Sequence, residues 1–201
     1  MRKTFLDKAY RVQDARELYD QWAASYDAEV GENGYVTPGR CAEALKAQMP
    51  DPSQPILDFG CGTGLSGLAL RLAGFAVIDG IDLSADMLGV AAQKGLYRNL
   101  TRIEENEALG HDPGEYHAIS AIGVIGAGAA PISVFDTLMD GLAKDGRLVF
   151  SFNDHALQDP ANEAKLHSWL DRGAARLLFR EHGDHLPGIN LKSTVYVIEK
   201  T

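Results

Sequence analysis

The sequence predicts a doubly wound α/β domain: a mostly parallel sheet, helices on both faces, and an antiparallel hairpin strand near the C-terminal end. Three observations carry this prediction. From residue 56 onward, short apolar runs alternate with helix-length stretches, the rhythm that builds a parallel sheet. The runs are apolar throughout rather than alternating with polar residues, as strands covered on both faces must be. Two strand-like segments at the end of the chain lie too close together for a crossover helix, so they pair as a hairpin.

The first thirty or so residues mix charge with Tyr10, Leu18, Tyr19, Trp22 and Tyr26. Leu18, Trp22 and Tyr26 fall at i, i+4 and i+8 on one helical face, which must bury against something. A second helix is expected over 38–49, with Thr37 as N-cap and Pro38 at the first helical position, ending at the Asp51-Pro52-Ser53-Gln54-Pro55 breaker. Residues 1–50 are read as a helical lid within a single domain spanning 1–201, because no repeat, low-complexity tract or linker divides the chain. Strand 56–59, helix 65–73, strand 76–81 and a helix running from the Ser84 cap to about 94 follow. Strands at 96–103 and 116–122, a helix at 132–143 and a strand at 147–152, after the Asp145-Gly146 turn, complete the wound region. Beyond Asn153 come a helix at 162–171 and strands at 176–181 and 193–199, joined through Gly183, Pro187 and Gly188.

With 201 residues, 45% of them hydrophobic, the chain can bury one substantial core. A formal net charge of −9 argues against a basic groove that neutralises phosphates. No nucleic-acid partner is therefore expected, and a small or peptide-like substrate fits better. Cys41 and Cys61 are too few for a disulfide framework or a four-thiolate zinc site. No metal is expected, and a reducing cytoplasm is the expected compartment. Charge interrupts the N-terminus before any apolar run develops, and nowhere do the roughly 18 consecutive apolar residues of a membrane helix occur, so no membrane partner is expected. Nothing in the sequence fixes an oligomeric state.

The chemistry concentrates in Ile56-Leu57-Asp58-Phe59-Gly60-Cys61-Gly62-Thr63-Gly64, a short apolar strand running into a turn with glycine at every second position. Glycines there let the backbone approach a ligand closely, and ligands of open α/β sheets sit beyond the carboxyl ends of the strands. A glycine turn alone would serve a dinucleotide as well. Two details narrow the choice. Asp58 stands two residues before the first glycine, where a pyrophosphate has no use for a carboxylate but an amino-acid ammonium does, and the spacing is G-x-G-x-G. Asp82 then ends the second strand about 20 residues after the turn, placed to hydrogen-bond both hydroxyls of a ribose.

An acidic residue followed by G-x-G-x-G at the end of the first strand closely resembles the first motif of class I S-adenosylmethionine (SAM)-dependent methyltransferases, and the resemblance implies a Rossmann-like fold and SAM as cofactor. It covers nearly the whole chain, beginning at Tyr19-Asp20-Gln21-Trp22-Ala23-Ala24-Ser25-Tyr26-Asp27, which is similar to a family helix that closes over SAM. The resemblance implies cofactor contacts from Tyr26 at the methionine end and from Asp58, Gly60, Cys61, Gly62 and Gly64 in the turn. It further implies Asp82 at the ribose, Leu83 and Met87 on the adenine, Glu105 or Asn106 at the adenine amino group, and Gly123 beneath the methionine part. His117 departs from the family pattern, which usually has an aspartate after the tyrosine of the fourth strand. The Gly126-Ala127-Gly128-Ala129-Ala130 run reads as a small-residue rim for substrate access.

Methyl transfer from a sulfonium needs chiefly an in-line approach in a site that excludes water, so no enzyme nucleophile is required. For a hydroxyl or protonated-amine acceptor a general base helps; Asp154 and His155 are the candidates, with His182 and His185 more remote in sequence. The expected acceptor is a small molecule whose identity the sequence does not give. Two alternatives stay open. A nicotinamide-dependent reductase would read Gly62-x-Gly64-x-x-Gly67 as a dinucleotide fingerprint, which misplaces the strand end. It would also read Tyr196-x-x-x-Lys200 as a catalytic pair, although that pair needs a helix and 193–199 alternates like a strand. The other alternative is a non-catalytic SAM-binding protein of the same fold.

Overall fold

The computed structural model describes residues 15–49, 51–105, 109–126 and 128–201; Tyr10, Asn106 and Ala127 therefore lie outside the described residues. Three helices precede the sheet: α1 (Ala15–Trp22), α2 (Tyr26–Glu32) and α3 (Thr37–Gln48). The wound part comprises β1 (Ile56–Phe59), α4 (Leu65–Ala73), β2 (Ile78–Asp82), α5 (Ala85–Gln93), β3 (Asn99–Arg102), β4 (Tyr116–Ala121), α6 (Val134–Gly141) and β5 (Leu142–Asn153). It is followed by α7 (Pro160–Asp171), β6 (Ala175–Leu186) and β7 (Leu191–Lys200).

The seven strands lie in the order β3-β2-β1-β4-β5-β7-β6. All neighbours pair in parallel except β7, which runs antiparallel to both β5 and β6. The winding direction reverses between β1 and β4, opening a crevice at their carboxyl ends. Successive strand residues face opposite layers, and both layers are dry. Leu57, Ile119, Leu148, Phe150 and Ile198 pack with Phe135 and Leu138 of α6 and Trp169 of α7. Ile56, Ala118, Val149 and Val197 pack with Leu45 of α3 and Leu70 of α4. Burial on two faces is why these strands read as continuous apolar runs.

Several local expectations hold. The Ser84 hydroxyl accepts the Met87 N–H at 3.1 Å and caps α5, and the terminal strands form the antiparallel hairpin. Others need correction. The helical face carrying Leu18, Trp22 and Tyr26 belongs to two helices, with a turn after Trp22. The turn folds α2 back so that the Trp22 indole donates to Glu29 at 2.9 Å and meets the Tyr26 ring edge-on at 4.6 Å. Leu18, Trp22 and Val30 then bury against Leu186 and Leu191 of the hairpin. Thr37 does not cap α3, because Val36 holds that position. The Thr37 side chain is fully buried, with its hydroxyl on His185 and Ser193. β6 extends to Leu186, beyond the expected end at 181, through residues too polar to signal a strand. Edge strands, wet on one side, lack the apolar pattern. Among the described residues, no helix is long and apolar enough to cross a membrane.

Candidate active site

The turn after β1 is built by geometry that only glycine adopts without strain. Gly60, Gly62 and Gly64 have φ of 66°, 52° and 91°, in the left-handed region. At Gly60 a Cβ would stand 2.2 Å from Val124 Cγ2, so space as well as conformation requires glycine. The Gly60 and Cys61 N–H groups both donate to the Ile81 carbonyl, at 2.9 and 3.1 Å, and this joins the turn to β2. At the end of β2, Asp82 Oδ2 accepts the Gly62 N–H and Oδ1 accepts the Ser84 N–H, each at 2.8 Å. A carboxylate offers about four lone-pair sites, so each oxygen retains acceptor capacity. Burial pushes the Asp82 carboxyl up, opposed by those backbone donors and reinforced by the nearby Asp20 carboxylate. The space a Cβ would occupy at Gly62 is open, with nothing within 4 Å.

Asp58, the residue expected at an amino-acid ammonium, has three partners within the protein. The side chain is fully buried, and both oxygens accept hydrogen bonds: Ser120 donates to Oδ1 at 2.7 Å, while Ser66 and Tyr97 donate to Oδ2 at 2.6 and 2.8 Å. Asp58 thus braces the turn from beneath. Tyr97, which no sequence pattern marks, is the central prop. Its hydroxyl accepts the Gly67 N–H at 3.1 Å while donating to Asp58. Its ring fits because side chains are missing nearby. A Cβ on Gly67 would lie 2.3 Å from the Tyr97 hydroxyl, and one on Gly80 would lie 3.0 Å from the ring and 2.9 Å from Cys61 Sγ. The third glycine of the apparent dinucleotide fingerprint is therefore accounted for by Tyr97. Tyr97→Phe is expected to cost about 1–3 kcal/mol, as the Gly67 N–H and one Asp58 lone pair lose their partner. The urea midpoint of the variant, at unchanged m-value, measures this.

The N-terminal helices reach the same turn. Asp27 accepts the Thr63 hydroxyl and the Lys94 ammonium, each at 2.5 Å, and Lys94 also donates to the Thr63 carbonyl at 2.6 Å. The Asp20 carboxylate and the Ser84 hydroxyl form a further hydrogen bond. Tyr26 is partly buried beside Trp22. Leu83 is partly buried at the end of β2, whereas Met87 is sealed inside at 2% exposure, and Glu105 is exposed in the turn after β3.

Gly123 follows β4 at φ 69°, with its N–H on Ser151 Oγ at 3.0 Å and the Tyr35 hydroxyl 2.4 Å from where a Cβ would stand. Asp154 is half-buried; it accepts the Lys192 N–H at 3.1 Å and lies 3.7 Å from His182. His155 is exposed, just before a short 3₁₀ turn at Ala156–Gln158. His185, at the end of β6, is buried, and its ring meets Tyr35 edge-on at 5.1 Å. Sequence spacing could not have found Tyr35 or Tyr97, since each reaches the site through a tertiary contact.

Residues 35–194 match the sequence signature of a methyltransferase domain. Human methyltransferase-like protein 27 is 35% identical over 139 residues, which is 66% of this chain and 54% of that protein. The 18S rRNA (guanine(1575)-N(7))-methyltransferase of Saccharomyces cerevisiae is 30% identical over 141 residues, 63% of this chain and 50% of that protein. The chain thus spans about half the length of these curated relatives. Magnesium protoporphyrin IX methyltransferase from Synechocystis, solved with bound SAM, has a TM-score of 0.65 at 19% identity, covering 95% of this chain and 99% of that one. That likeness is one of fold. The second relative is named for an RNA acceptor, so acidic net charge alone does not exclude nucleic acid here.

Proposed function

The chain belongs to the class I SAM-dependent methyltransferase family, and from that premise we propose that it transfers the methyl group of SAM to a small-molecule acceptor. The observation that carries the cofactor reading is the Asp82 carboxylate, held by the Gly62 and Ser84 N–H groups beside the glycine turn with acceptor capacity left on both oxygens. A ribose with two free hydroxyls matches that capacity. SAM, when bound, supplies a methyl group on a positively charged sulfonium that an electron-rich atom can take without an enzyme nucleophile.

Each part of the site has a task in this reading. Gly60, Cys61, Gly62 and Gly64 bring backbone close to the ligand, and Asp58 with Tyr97 holds that backbone rigid. Leu83 gives the adenine an apolar face, with Met87 packed behind it, and Glu105 or Asn106 serves the adenine amino group. Gly123 and Tyr26 bound the methionine end. The net charge of −9 supports a small acceptor over a polyanionic one.

Calorimetric titration of ligand-stripped protein with SAM, S-adenosylhomocysteine and NADH tests the cofactor. Saturable binding of the two adenosyl ligands without NADH is expected; NADH binding alone would restore the reductase reading. Incubation with methyl-labelled SAM and separated metabolite and RNA fractions then tests the acceptor. Label in the metabolite fraction is expected, label in RNA would overturn the small-molecule assignment, and binding without any transfer would favour the non-catalytic alternative.

A further inference from the structure

Four side chains near the carboxyl end of the sheet form a hydrogen-bond chain whose direction can be deduced. Arg40 Nη1 donates to Ser193 Oγ at 3.1 Å, and a guanidinium can only donate. Ser193 Oγ lies 2.9 Å from Thr37 Oγ1, which lies 2.8 Å from His185 Nδ1. Ser193 and Thr37 are both fully buried, and neither hydroxyl has another side-chain or backbone acceptor among the described residues. A buried hydroxyl proton without a partner costs about 1–3 kcal/mol. Only one arrangement satisfies both hydroxyls: Ser193 donates to Thr37, and Thr37 donates to His185 Nδ1. Were Nδ1 protonated, one of the two hydroxyl protons would have no acceptor. The neutral imidazole therefore carries its proton on Nε2.

That nitrogen faces outward. His185 is 4% exposed, and Nε2 has no partner among the described residues. Yet the only solvent-sealed, unpartnered side-chain polar atom among the described residues is His111 Nε2. The residual exposure of His185 thus includes Nε2. Its ring lies against Tyr35, whose hydroxyl covers Gly123 at the switch-point end of β4, so the imidazole and the expected methionine end of the cofactor share one aromatic wall. Val36, whose N–H bonds the His185 carbonyl at 3.1 Å, and Ile189 in the following turn are 40% and 50% exposed and give the surroundings an apolar character. Apolar surface beside an oriented polar group is how small-molecule sites fix a ligand, and here Arg40 and Asp154 also lie within electrostatic reach of the ring.

We infer that His185 presents an Nε2–H donor on the acceptor side of the site and selects acceptors carrying a carboxylate or carbonyl oxygen. This deepens the methyltransferase reading and rests on it. Burial pushes the imidazole down to about 4, Arg40 and His155 act in the same direction and Asp154 opposes them, so the ring stays neutral near pH 7. In that state the nitrogen facing the site has no lone pair, and His185 acts as a hydrogen-bond donor rather than as a resting general base.

Long-range ¹H–¹⁵N spectra of ¹⁵N-histidine-labelled protein, saturated with S-adenosylhomocysteine, test this directly, with His185 assigned by the signals lost in His185→Gln. The expected result near pH 7 is a single neutral tautomer with Nε2 protonated and Nδ1 bare. Thr37→Val should release it into a tautomer mixture. An Nδ1-protonated ring or an imidazolium in the parent protein would overturn the inference. Sodium benzoate and acetophenone, the anionic and neutral oxygen probes, are then titrated alongside benzylamine. At least one oxygen probe should shift the Nε2–H signal saturably while benzylamine leaves it in place. His185→Phe should weaken that binding about tenfold, and His185→Gln, which keeps a side-chain N–H, should restore most of it. Equal response to benzylamine, or no response to either oxygen probe, would sink the proposal. Failure of S-adenosylhomocysteine to bind the parent protein would instead count against the cofactor reading.

Discussion

Replacing Asp82 by alanine is expected to weaken S-adenosylhomocysteine binding by about tenfold to a hundredfold, corresponding to the roughly 1–3 kcal/mol of a lost buried polar partner. Two losses combine. The ligand hydroxyls lose their acceptor, and the Gly62 and Ser84 N–H groups that now converge on the carboxylate are left without one. Asp82→Asn should fall between alanine and the parent, because one carboxamide position is a donor and would face one of those two N–H groups. Asp79 provides the control on the same strand. It pairs with Arg98, Asn99 and Tyr116, which hold its carboxyl below the ordinary carboxylate range despite burial. Asp79→Asn should therefore lower the urea midpoint while leaving affinity for S-adenosylhomocysteine within about twofold. Unchanged affinity in a folded Asp82→Ala protein would remove Asp82 from the cofactor site.

The contrast between these two aspartates, three residues apart, shows what local sequence carries. The position of Asp82 beside the glycine turn was legible because it ends an apolar strand at a fixed distance from that turn, and both features are local. The strand and helix alternation, the Ser84 cap and the closing hairpin were legible for the same reason. Asp58 shows the limit. Its position in the motif was readable, but its partners Ser66, Tyr97 and Ser120 lie 8, 39 and 62 residues away. Those contacts make Asp58 an internal brace of the turn, which its place in the motif does not reveal. Tyr97 could be traced only backward, from the absence of side chains at Gly64, Gly67 and Gly80, the first two of which a one-dimensional reading takes for phosphate-binding glycines. Tyr35 and His185 meet only because α3 and the end of β6 are joined by Thr37, Arg40 and Ser193 across some 150 residues of sequence.

Two buried titratable groups should pull stability in opposite directions between about pH 6.5 and 4. Burial pushes the Asp58 carboxyl up from 3.8 to about 6, against the hydrogen bonds from Ser66, Ser120 and Tyr97. The folded protein then holds a proton that the unfolded chain releases, so the stabilising contribution is full below 3.8 and is lost as pH rises through about 6. His185 is pushed down from 6.5 to about 4, chiefly by burial. The unfolded chain takes up that proton first, so its contribution is full above 6.5 and is lost as pH falls through about 4. Each change amounts to about 3 kcal/mol, at roughly 1.36 kcal/mol per tenfold difference in proton affinity. Because the two windows overlap, these groups should largely cancel in the parent protein, although the upward push on Asp82 adds to the Asp58 slope. Single substitutions expose each partner. Urea midpoints of His185→Gln should rise as pH is lowered through this window, and those of Asp58→Asn should fall. If both variants slope the same way, at least one of these groups keeps its ordinary proton affinity in the folded state. Retention by His185 would leave the imidazole partly charged near neutrality, with protons on both nitrogens and the Thr37 bond reversed, and the donor directed at the acceptor would then be a cation.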